Sequence, residues 1–308
     1  MSGPEEGLLG DDVTRFLFII CAATAVLLLP RAALAWGPGV HLMAGNFVLA
    51  NADLLPRALA GLLPAWRDAF LYGCLSADIF VGKGSRLRPG HSHDWDVAFA
   101  MLGPGNSAKL QAYAFGYLTH LAADVVAHNY YVPNMLARTP ATGTLSHVYL
   151  EMQADRMIGW DPKQARALFK RRNAEADRLL LASTGKNRSL FLLRKKVFRQ
   201  GLVMSDQPEM RQFLVSADKM LPRVAGRNTF AVMFDLTLRV VMDFLHHPQD
   251  APVLAYDPTG GRRLRQVKRM MRRRRQQGLP RPVTPLFTPD PLLVDLPSLD
   301  EFVRLRAS

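Results

Sequence analysis

Histidines and acidic residues recur at intervals that could serve metal chemistry. The stretch YLTHLAADVVAHNYY places His120, Asp124 and His128 at successive intervals of four, and His147 and Glu151 form a further pair with the same interval. Residues four apart lie on one face of a helix, which is how a helix presents two ligands to one metal ion. Imidazole and carboxylate together suit zinc, and the scarcity of cysteine argues against a structural thiolate site.

More residues of the same types precede these pairs. His41 lies in GVHLM, Asp78 in LSADIF, and His91 and His93 in HSHDWD. Each has an ordinary structural interpretation: a single His-x-x-x-Asp pair is usually a structural hydrogen bond, and a lone aspartate after a helix is usually a cap or turn residue. Taken together, the set supplies enough nitrogen and oxygen donors for more than one metal ion.

The elements that must position these residues are predicted to be helices. Apolar residues recur at intervals of three and four through most of the chain, and no run of alternating residues indicates a strand. We therefore expect an all-α fold with a single multi-helix domain to about residue 250. The longest apolar helix, which carries His120 and Asp124, should lie at the centre and end at Pro133.

The N-terminus has the pattern of a signal peptide. An apolar run, residues 16–30, is short for a membrane span, and Ala33 and Ala35 form the small-x-small pattern of a cleavage site. We expect residues 1–35 to be removed, which would leave Trp36 as the new N-terminus and make the protein secreted or periplasmic. An uncleaved anchor helix is the alternative.

The C-terminal part, residues 251–308, has a different composition. Residues 260–282 are strongly basic and a Pro-rich segment follows, within a chain of formal net charge +13. We expect an irregular basic extension. Its arginines are compatible with a solvated helix face or with a patch for anionic lipid or nucleic acid. Few aromatic residues interleave them, so the stacking pattern of single-strand binding is missing.

In its ordered set of candidate ligands, the chain resembles the bacterial zinc-dependent phospholipase C family, whose superfamily includes the fungal single-strand-specific nucleases. The resemblance covers about residues 36–155. In that superfamily the mature chain begins with a tryptophan whose α-amine and carbonyl bind zinc, which agrees with cleavage before Trp36. The resemblance implies a trinuclear zinc site with these ligands: Trp36, His41, Asp78, His93 or His91, His120, Asp124, His128, His147 and Glu151.

The resemblance also implies how the ligands are shared. One zinc would take Asp78, His93 (or His91), His120 and Asp124; a second would take His128, His147 and Glu151; the third would take Trp36, His41 and a shared Asp124. Asp78 would also be the catalytic residue that orients or deprotonates the attacking water. The interval of four between Asp124 and His128 is shorter than the family's usual interval, which implies a continuous helix there.

The expected function is that of a zinc-dependent phosphodiesterase, a phospholipase C that hydrolyses phospholipid head groups with a metal-activated water. A single-strand-specific nuclease of the same superfamily is the alternative enzyme. A non-catalytic, membrane-associated zinc protein is the alternative from another class. The expected partners are a phosphodiester substrate and an anionic membrane surface contacted by the basic extension.

Overall fold

The fold is helical throughout the described chain. The computed structural model describes residues 36–80, 91–139, 144–205 and 226–301, together with residues 207 and 212. These ranges contain helices and turns but no strand, so the expected all-α fold is confirmed. The expected signal peptide, residues 1–35, lies outside the described residues. None of the helices in the described ranges combines the length and apolarity needed to cross a membrane.

Thirteen α-helices occur in these ranges. In chain order they are α1 (Pro38–Ala50), α2 (Arg57–Ala65), α3 (Arg67–Ser76), α4 (Trp95–Ala100), α5 (Ala108–Val126), α6 (Val132–Arg138), α7 (Thr144–Ile158), α8 (Pro162–Lys170), α9 (Ala174–Thr184), α10 (Arg188–Met204), α11 (Arg227–His246), α12 (Gly261–Gln276) and α13 (Pro291–Val294). Short 3₁₀ turns lie at Ala52–Leu54, Ala77–Phe80 and Pro252–Ala255.

Helix α5 forms the centre of the domain, as its apolar sequence predicts. It begins at the N-cap Ser107, whose hydroxyl accepts a hydrogen bond from the Leu110 N–H at 3.4 Å. Fourteen of its nineteen residues are buried, and it packs chiefly against α3 and α11. Each large apolar side chain buried here contributes on the order of 1.5–3 kcal/mol. That contribution offsets the cost of burying the polar residues on the same helix.

Helices α3 and α5 cross with their backbones in direct contact. A Cβ at Gly116 would collide with the carbonyl group of Phe70, and a Cβ at Gly73 would collide with the carbonyl group of Tyr113. Only glycine allows this approach. The close crossing brings the backbone of α3, including the carbonyl of Cys74, up to the side chain of His120 on α5.

The chain continues past α5 without a break, through a π-helical turn at Ala127–Tyr131 and into α6. The Val132 N–H donates to the carbonyl of Ala127, five residues earlier. The expectation that the helix ends at Pro133 is therefore wrong. A proline inside a regular helix clashes with the carbonyl four residues before it, and the wider π turn relieves that clash. The continuous helix expected between Asp124 and His128 is present, with His128 inside the π turn.

The C-terminal extension packs onto this part of the domain. Residues 261–276 form helix α12, which contacts α6 and the π turn, whereas residues 277–290 are irregular. The expectation of an irregular extension thus fails for residues 261–276. The physical reason is that Leu264 and Val267 are buried against the domain, which stabilises one face of a helix.

The irregular segment is attached to α6 by one side chain. The Asn134 amide donates to the carbonyl of Phe287 at 2.7 Å, and its oxygen accepts the N–H groups of Leu286 and Phe287 at 2.7 and 3.0 Å. Phe287 is itself buried in the common core. The extension therefore belongs to the same packed body as the helices before it, at least as far as Leu293.

Candidate metal centre

Asp124 lies at the centre of a buried cluster of imidazoles. Its Oδ1 is 3.3 Å from His41 Nε2, and its Oδ2 is 3.4 Å from His93 Nε2, 3.3 Å from His120 Nε2 and 3.8 Å from His128 Nε2. The five side chains come from α1, the segment before α4, α5 and the π turn. One carboxylate that reaches four imidazole nitrogens has the arrangement of a ligand shared between metal ions.

A second carboxylate approaches the same ring nitrogens of His93 and His120. Asp78, in the 3₁₀ turn after α3, has its Oδ1 3.5 Å from His93 Nε2 and 3.6 Å from His120 Nε2. The structure thus contains two sets of candidate ligand atoms, and within each set the atoms lie within 4.8 Å of one another. One set comes from His41, His120 and Asp124, and the other from Asp78, His93 and His120. All five side chains are buried. Nitrogen and carboxylate donors at this spacing suit zinc.

The imidazoles are oriented by backbone carbonyls on their far sides. His120 Nδ1 lies 2.9 Å from the carbonyl oxygen of Cys74, and His128 Nδ1 lies 3.0 Å from that of Thr259. A carbonyl can only accept, so each Nδ1 carries the proton and each Nε2 is directed to the cluster. The ring of His41 stacks on that of His120, with centroids 3.7 Å apart. Metal-bound histidines are commonly held in this way.

Several buried polar atoms in the cluster have no hydrogen-bond partner among the described residues. They are both ring nitrogens of His41, Oδ1 of Asp124, Nε2 of His128 and Oε1 of Glu151. Leaving one such group buried without a partner costs about 1–3 kcal/mol. Bound zinc would satisfy nitrogen and carboxylate donors directly, so the donor set and its unsatisfied atoms fit that metal.

Charges in the cluster compensate one another. Burial alone would lower the pKa of His120, but the carboxylates of Asp124 and Asp78 outweigh burial and raise it to about 9. Burial alone would raise the pKa of Asp124, but His120 and His41 hold it well below its usual range. The pKa of Asp78 is likewise lowered, since His120 and His93 overcome the effect of burial. Both carboxylates are therefore ionised, as metal ligands must be.

The pKa values of His128, His41 and Glu151 are shifted mainly by burial. Burial lowers the pKa of His128 to about 4 and, together with repulsion from His120, lowers the pKa of His41. Both imidazoles are thus neutral near pH 7 and able to bind a cation. Burial and the negative charges of Asp78 and Asp155 raise the pKa of Glu151 well above its usual range. A cation beside Glu151 would reverse that effect.

Of the two remaining predicted ligands, Trp36 and His147, the structure describes the side chain of Trp36 alone. Trp36 is buried, its indole N–H donates to the carbonyl of Ala123 at 3.1 Å, and its ring packs against that of Tyr131 with centroids 4.6 Å apart and planes tilted by 31°. Its side chain is thus an anchor beside Asp124, and the ligand groups predicted for it are backbone atoms. The side chain of His147 lies outside the described part of the structure, so its role stays a prediction.

Of the two loop histidines, His93 is the one that approaches the carboxylates. His91 is half-buried, and its Nδ1 accepts the backbone N–H of His93 at 3.0 Å. That bond uses one ring nitrogen of His91 to hold the loop. Burial and the neighbouring His93 lower the pKa of His91 to about 4, so it too is neutral near pH 7. The geometry favours His93 as the ligand and gives His91 the role of supporting its backbone.

One positioning residue was missed in the sequence. Asp155 on α7 is buried, and its carboxylate accepts the N–H groups of Gly39 and Val40 at 3.0 Å each. Both N–H groups lie in the first turn of α1, so Asp155 caps that helix from another helix and thereby orients His41. The interval of four between Glu151 and Asp155 was the signal that could have drawn attention to it.

A family model described as zinc dependent phospholipase C matches residues 40–197. The chain belongs to the zinc-dependent phospholipase C family. No curated protein and no solved structure matches it. The family match agrees with the donor set of the cluster, and a zinc-dependent phospholipase C is a hydrolase of phosphodiesters.

The phospholipase C match covers the cluster but not all of the groups that support it. His41, Asp78, His120 and Asp124 all lie inside residues 40–197. Two groups that contact the cluster do not: Trp36, before the match, and Thr259, after it. The centre is therefore built from more of the chain than the matched region.

Proposed function

We propose that this protein is a phospholipase C that removes phosphorylated head groups from phospholipids, with three zinc ions bound in the cluster around Asp124. The main support for the proposal is the position of the Asp124 carboxylate, whose oxygens lie 3.3 to 3.8 Å from four imidazole nitrogens. Family membership supports the metal and the reaction type. The head group and the number of ions are part of the proposal.

The proposed ligand sets follow the three parts of the cluster. The first consists of Asp78, His93, His120 and Asp124; the second of His128, His147 and Glu151; the third of the Trp36 amine and carbonyl, His41 and Asp124. Contacts among Asp78, His93 and His120 support the first set. The unsatisfied atoms of His128 and Glu151 support the second, and those of His41 support the third.

The chain's own residues divide the work of hydrolysis. Bound zinc would neutralise charge on the phosphodiester and lower the pKa of the attacking water. Asp78 is held ionised by His120 and His93, so its carboxylate can orient that water and accept its proton. The imidazoles of His120 and His128 are fixed by backbone carbonyls on their far sides, and that of His41 is fixed by stacking on His120. The water oxygen forms a bond to phosphorus and the bond from phosphorus to the glycerol oxygen breaks. The proton accepted from the water passes to that oxygen, which gives diacylglycerol and a phosphorylated head group.

We also propose that cleavage before Trp36 produces the active, secreted or periplasmic form. The indole of Trp36 donates to the carbonyl of Ala123, the residue before Asp124. A new α-amine at residue 36 would thus arise beside the proposed shared ligand. Intact-mass measurement of the exported protein tests this step. A protein that retains residues 1–35 while it hydrolyses phospholipid would contradict it.

The basic extension is proposed to contact an anionic membrane surface. Residues 261–289 contain ten arginines and lysines and no acidic residue. On α12 the exposed ones include Arg265, Arg269 and Arg272, which at these intervals share one face. Juxtaposed basic residues gain about 1 kcal/mol each near anionic lipid. Vesicle sedimentation at low and high salt tests this contact, since screening should weaken it.

The first experiment is release of water-soluble phosphate ester from mixed phospholipid vesicles. The protein would be the chain beginning at Trp36, loaded with zinc, with a chelated sample and an Asp124→Asn variant as controls. We expect release that both controls abolish. Protein that holds its zinc yet releases no ester from any head group would overturn the phospholipase proposal. Cleavage of single-stranded nucleic acid by that protein would identify the nuclease, and cleavage of neither substrate would identify a non-catalytic zinc protein.

A further inference from the structure

The side chain of His128 is held by a segment that lies beyond the family match. Its Nδ1 is 3.0 Å from the carbonyl oxygen of Thr259, which is more than a hundred residues later in the chain. Because this carbonyl only accepts, it holds the proton on Nδ1 and leaves Nε2 with a free electron pair. That Nε2 is the atom that lies 3.8 Å from Asp124 Oδ2.

The loop that carries this carbonyl is fixed by one aspartate. Asp257 Oδ1 accepts the backbone N–H and the hydroxyl of Thr259 at 2.8 and 2.7 Å, and Oδ2 accepts the Gly261 N–H at 3.1 Å. The carbonyl of Asp257 accepts the Gly260 N–H at 3.0 Å. With four such bonds inside five residues, the loop presents the Thr259 carbonyl in one orientation.

Gly260 brings the same loop into contact with the backbone of His128. Its φ is +53°, a left-handed conformation that favours glycine. A Cβ at this position would lie 2.5 Å from the carbonyl carbon of His128 and 2.6 Å from its Cβ. The amide of Asn129 adds a further link, since it donates to the Asp257 carbonyl at 3.0 Å. Both the conformation and the space at residue 260 therefore require glycine.

We infer that residues 257–261 form a clamp that sets the tautomer and the position of His128, so that the C-terminal extension completes the second ligand set of the metal centre. Asp257, Thr259 and Gly260 are positioning residues, which act on the metal through His128. The inference rests on the proposed function in one respect, the assignment of His128 as a zinc ligand. It explains why a basic extension with its own helix packs on the π turn.

The test compares two glycines of the extension. Gly260→Ala and Gly278→Ala, at φ +53° and +64°, place alanine in the same left-handed conformation, but a Cβ at Gly278 meets nothing within 4 Å. In the full chain purified with its zinc, we expect Gly260→Ala to lower the affinity of the most weakly held zinc about 10–100-fold, the usual effect of losing a partner of a metal-bound histidine. Gly278→Ala should leave it unchanged. Zinc content at graded free zinc concentrations measures both.

Asp257→Asn provides the second test, because it keeps the size of the side chain but weakens the loop. It should lower zinc affinity in the native chain and have no further effect in a His128→Ala background, since the clamp acts only through that side chain. A purely structural role would give the same loss in both backgrounds and would overturn the inference, as would equal zinc affinity of the two glycine variants.

These outcomes separate the clamp from the enzyme. A native protein that hydrolyses phospholipid, with zinc affinity insensitive to Asp257→Asn and Gly260→Ala, would keep the proposed function and remove the clamp. Clamp-dependent zinc affinity without hydrolysis of any phosphodiester would keep the clamp and remove the proposed function. A native protein without zinc at micromolar free zinc would overturn both.

Discussion

Helices α5 and α12 are similar in length and carry charged residues in quite different surroundings. Fourteen of the nineteen residues of α5 are buried, whereas α12 buries only Leu264 and Val267 of its sixteen. On α5 one carboxylate, Asp124, lies 3.3 to 3.8 Å from the nitrogens of four imidazoles. On α12 most of the arginines are exposed to solvent, where Coulomb energies are many times smaller. The difference shows that burial strengthens the interactions between a few charged groups enough to form a specific site. Exposed charges interact weakly, and they affect binding only as a group.

The two helices also differ in how their surroundings constrain them. Around α5, a single added carbon at Gly116 meets backbone, and the ring nitrogens of His120 and His128 meet carbonyls. Around the exposed face of α12, side chains can change without steric consequence. We therefore expect substitutions near α5 to have large effects on metal binding and stability, and substitutions on the outer face of α12 to have small effects limited to surface binding.

The largest effect is expected for Asp124→Ala. The change removes the shared carboxylate, which is the main group that raises the pKa of His120 and keeps its imidazole positively charged. We expect loss of zinc and of hydrolysis, with a loss of unfolding free energy of roughly 3–5 kcal/mol. Metal analysis and chemical denaturation measure these. The control is Asp235→Ala, which breaks an exposed i,i+4 pair with Arg239 and should cost at most about 1 kcal/mol. An Asp124→Ala protein with its full metal load would refute the assignment.

The next effect concerns the crossing of α3 and α5. Gly116→Ala would push the two helices apart, because the added Cβ collides with the carbonyl of Phe70. We expect a loss of about 1–3 kcal/mol of unfolding free energy, with weakened zinc binding since the Cys74 carbonyl would withdraw from His120. Gly201→Ala on α10 is the control: nothing lies within 4 Å of its Cβ, so it should stabilise its helix by up to about 1 kcal/mol. Equal effects of the two changes would contradict the close crossing.

A third effect depends on pH and again separates α5 from α12. In zinc-free protein the pKa of His120 is about 9 when folded, against an ordinary value of 6.5. The stabilisation is present in full below pH 6.5, where both states are protonated, and is lost as pH rises through 9, where the folded state releases the proton. The change in unfolding free energy is on the order of 3 kcal/mol. Helix α12 contains no histidine and no carboxylate, so it offers no pair of this kind.

Melting of chelated protein between pH 6.5 and 9.5 measures this loss. His120→Gln should flatten the profile, and zinc-loaded protein should not show the fall, because metal binding has already displaced the proton. A chelated native protein whose stability rises over this interval would show that the carboxylates do not hold that proton.

The helical fold and the grouping of His120, Asp124 and His128 on one face could be predicted from the sequence, because both depend on side-chain type and on an interval of three or four. His41, Asp78 and His93 were added to that group by the resemblance to the family. The sequence did not predict the supports of the cluster. The carbonyls of Cys74 and Thr259 are backbone groups, and because every residue has a carbonyl, the residue type does not indicate which one will contact a histidine. Asp155 acts on the N-terminus of α1, more than a hundred residues earlier, and only the folded chain brings the two together.

Two predictions from local sequence were wrong because tertiary packing determined the conformation: the end of the central helix at Pro133 and the irregular chain from residue 261. Pro133 does not end the central helix, because a π turn accommodates it. The basic segment from residue 261 is a helix rather than irregular chain, because its few apolar residues find a buried partner surface on α6. The choice between His91 and His93 depended on which way a loop turns, and spacing in a loop carries no such information.

The triple change Arg265→Gln, Arg269→Gln and Arg272→Gln tests the outer face of α12. We expect it to have the smallest effect on the folded protein. The three side chains are exposed on one face, so unfolding free energy should change by less than about 0.5 kcal/mol per site. Binding to vesicles that contain phosphatidylserine should fall about 100-fold, at about 1 kcal/mol for each lost charge.

The matched control removes the same charge elsewhere: Arg57→Gln, Lys170→Gln and Arg172→Gln, all exposed and outside α12. Because net charge is identical in the two triple variants, a difference in vesicle binding isolates the position of the charges. Hydrolysis of a short-chain, water-soluble phospholipid should be equal in both, since neither set touches the metal centre. Equal loss of vesicle binding in the two variants would mean that net charge alone attracts the membrane and that α12 is an ordinary solvated face.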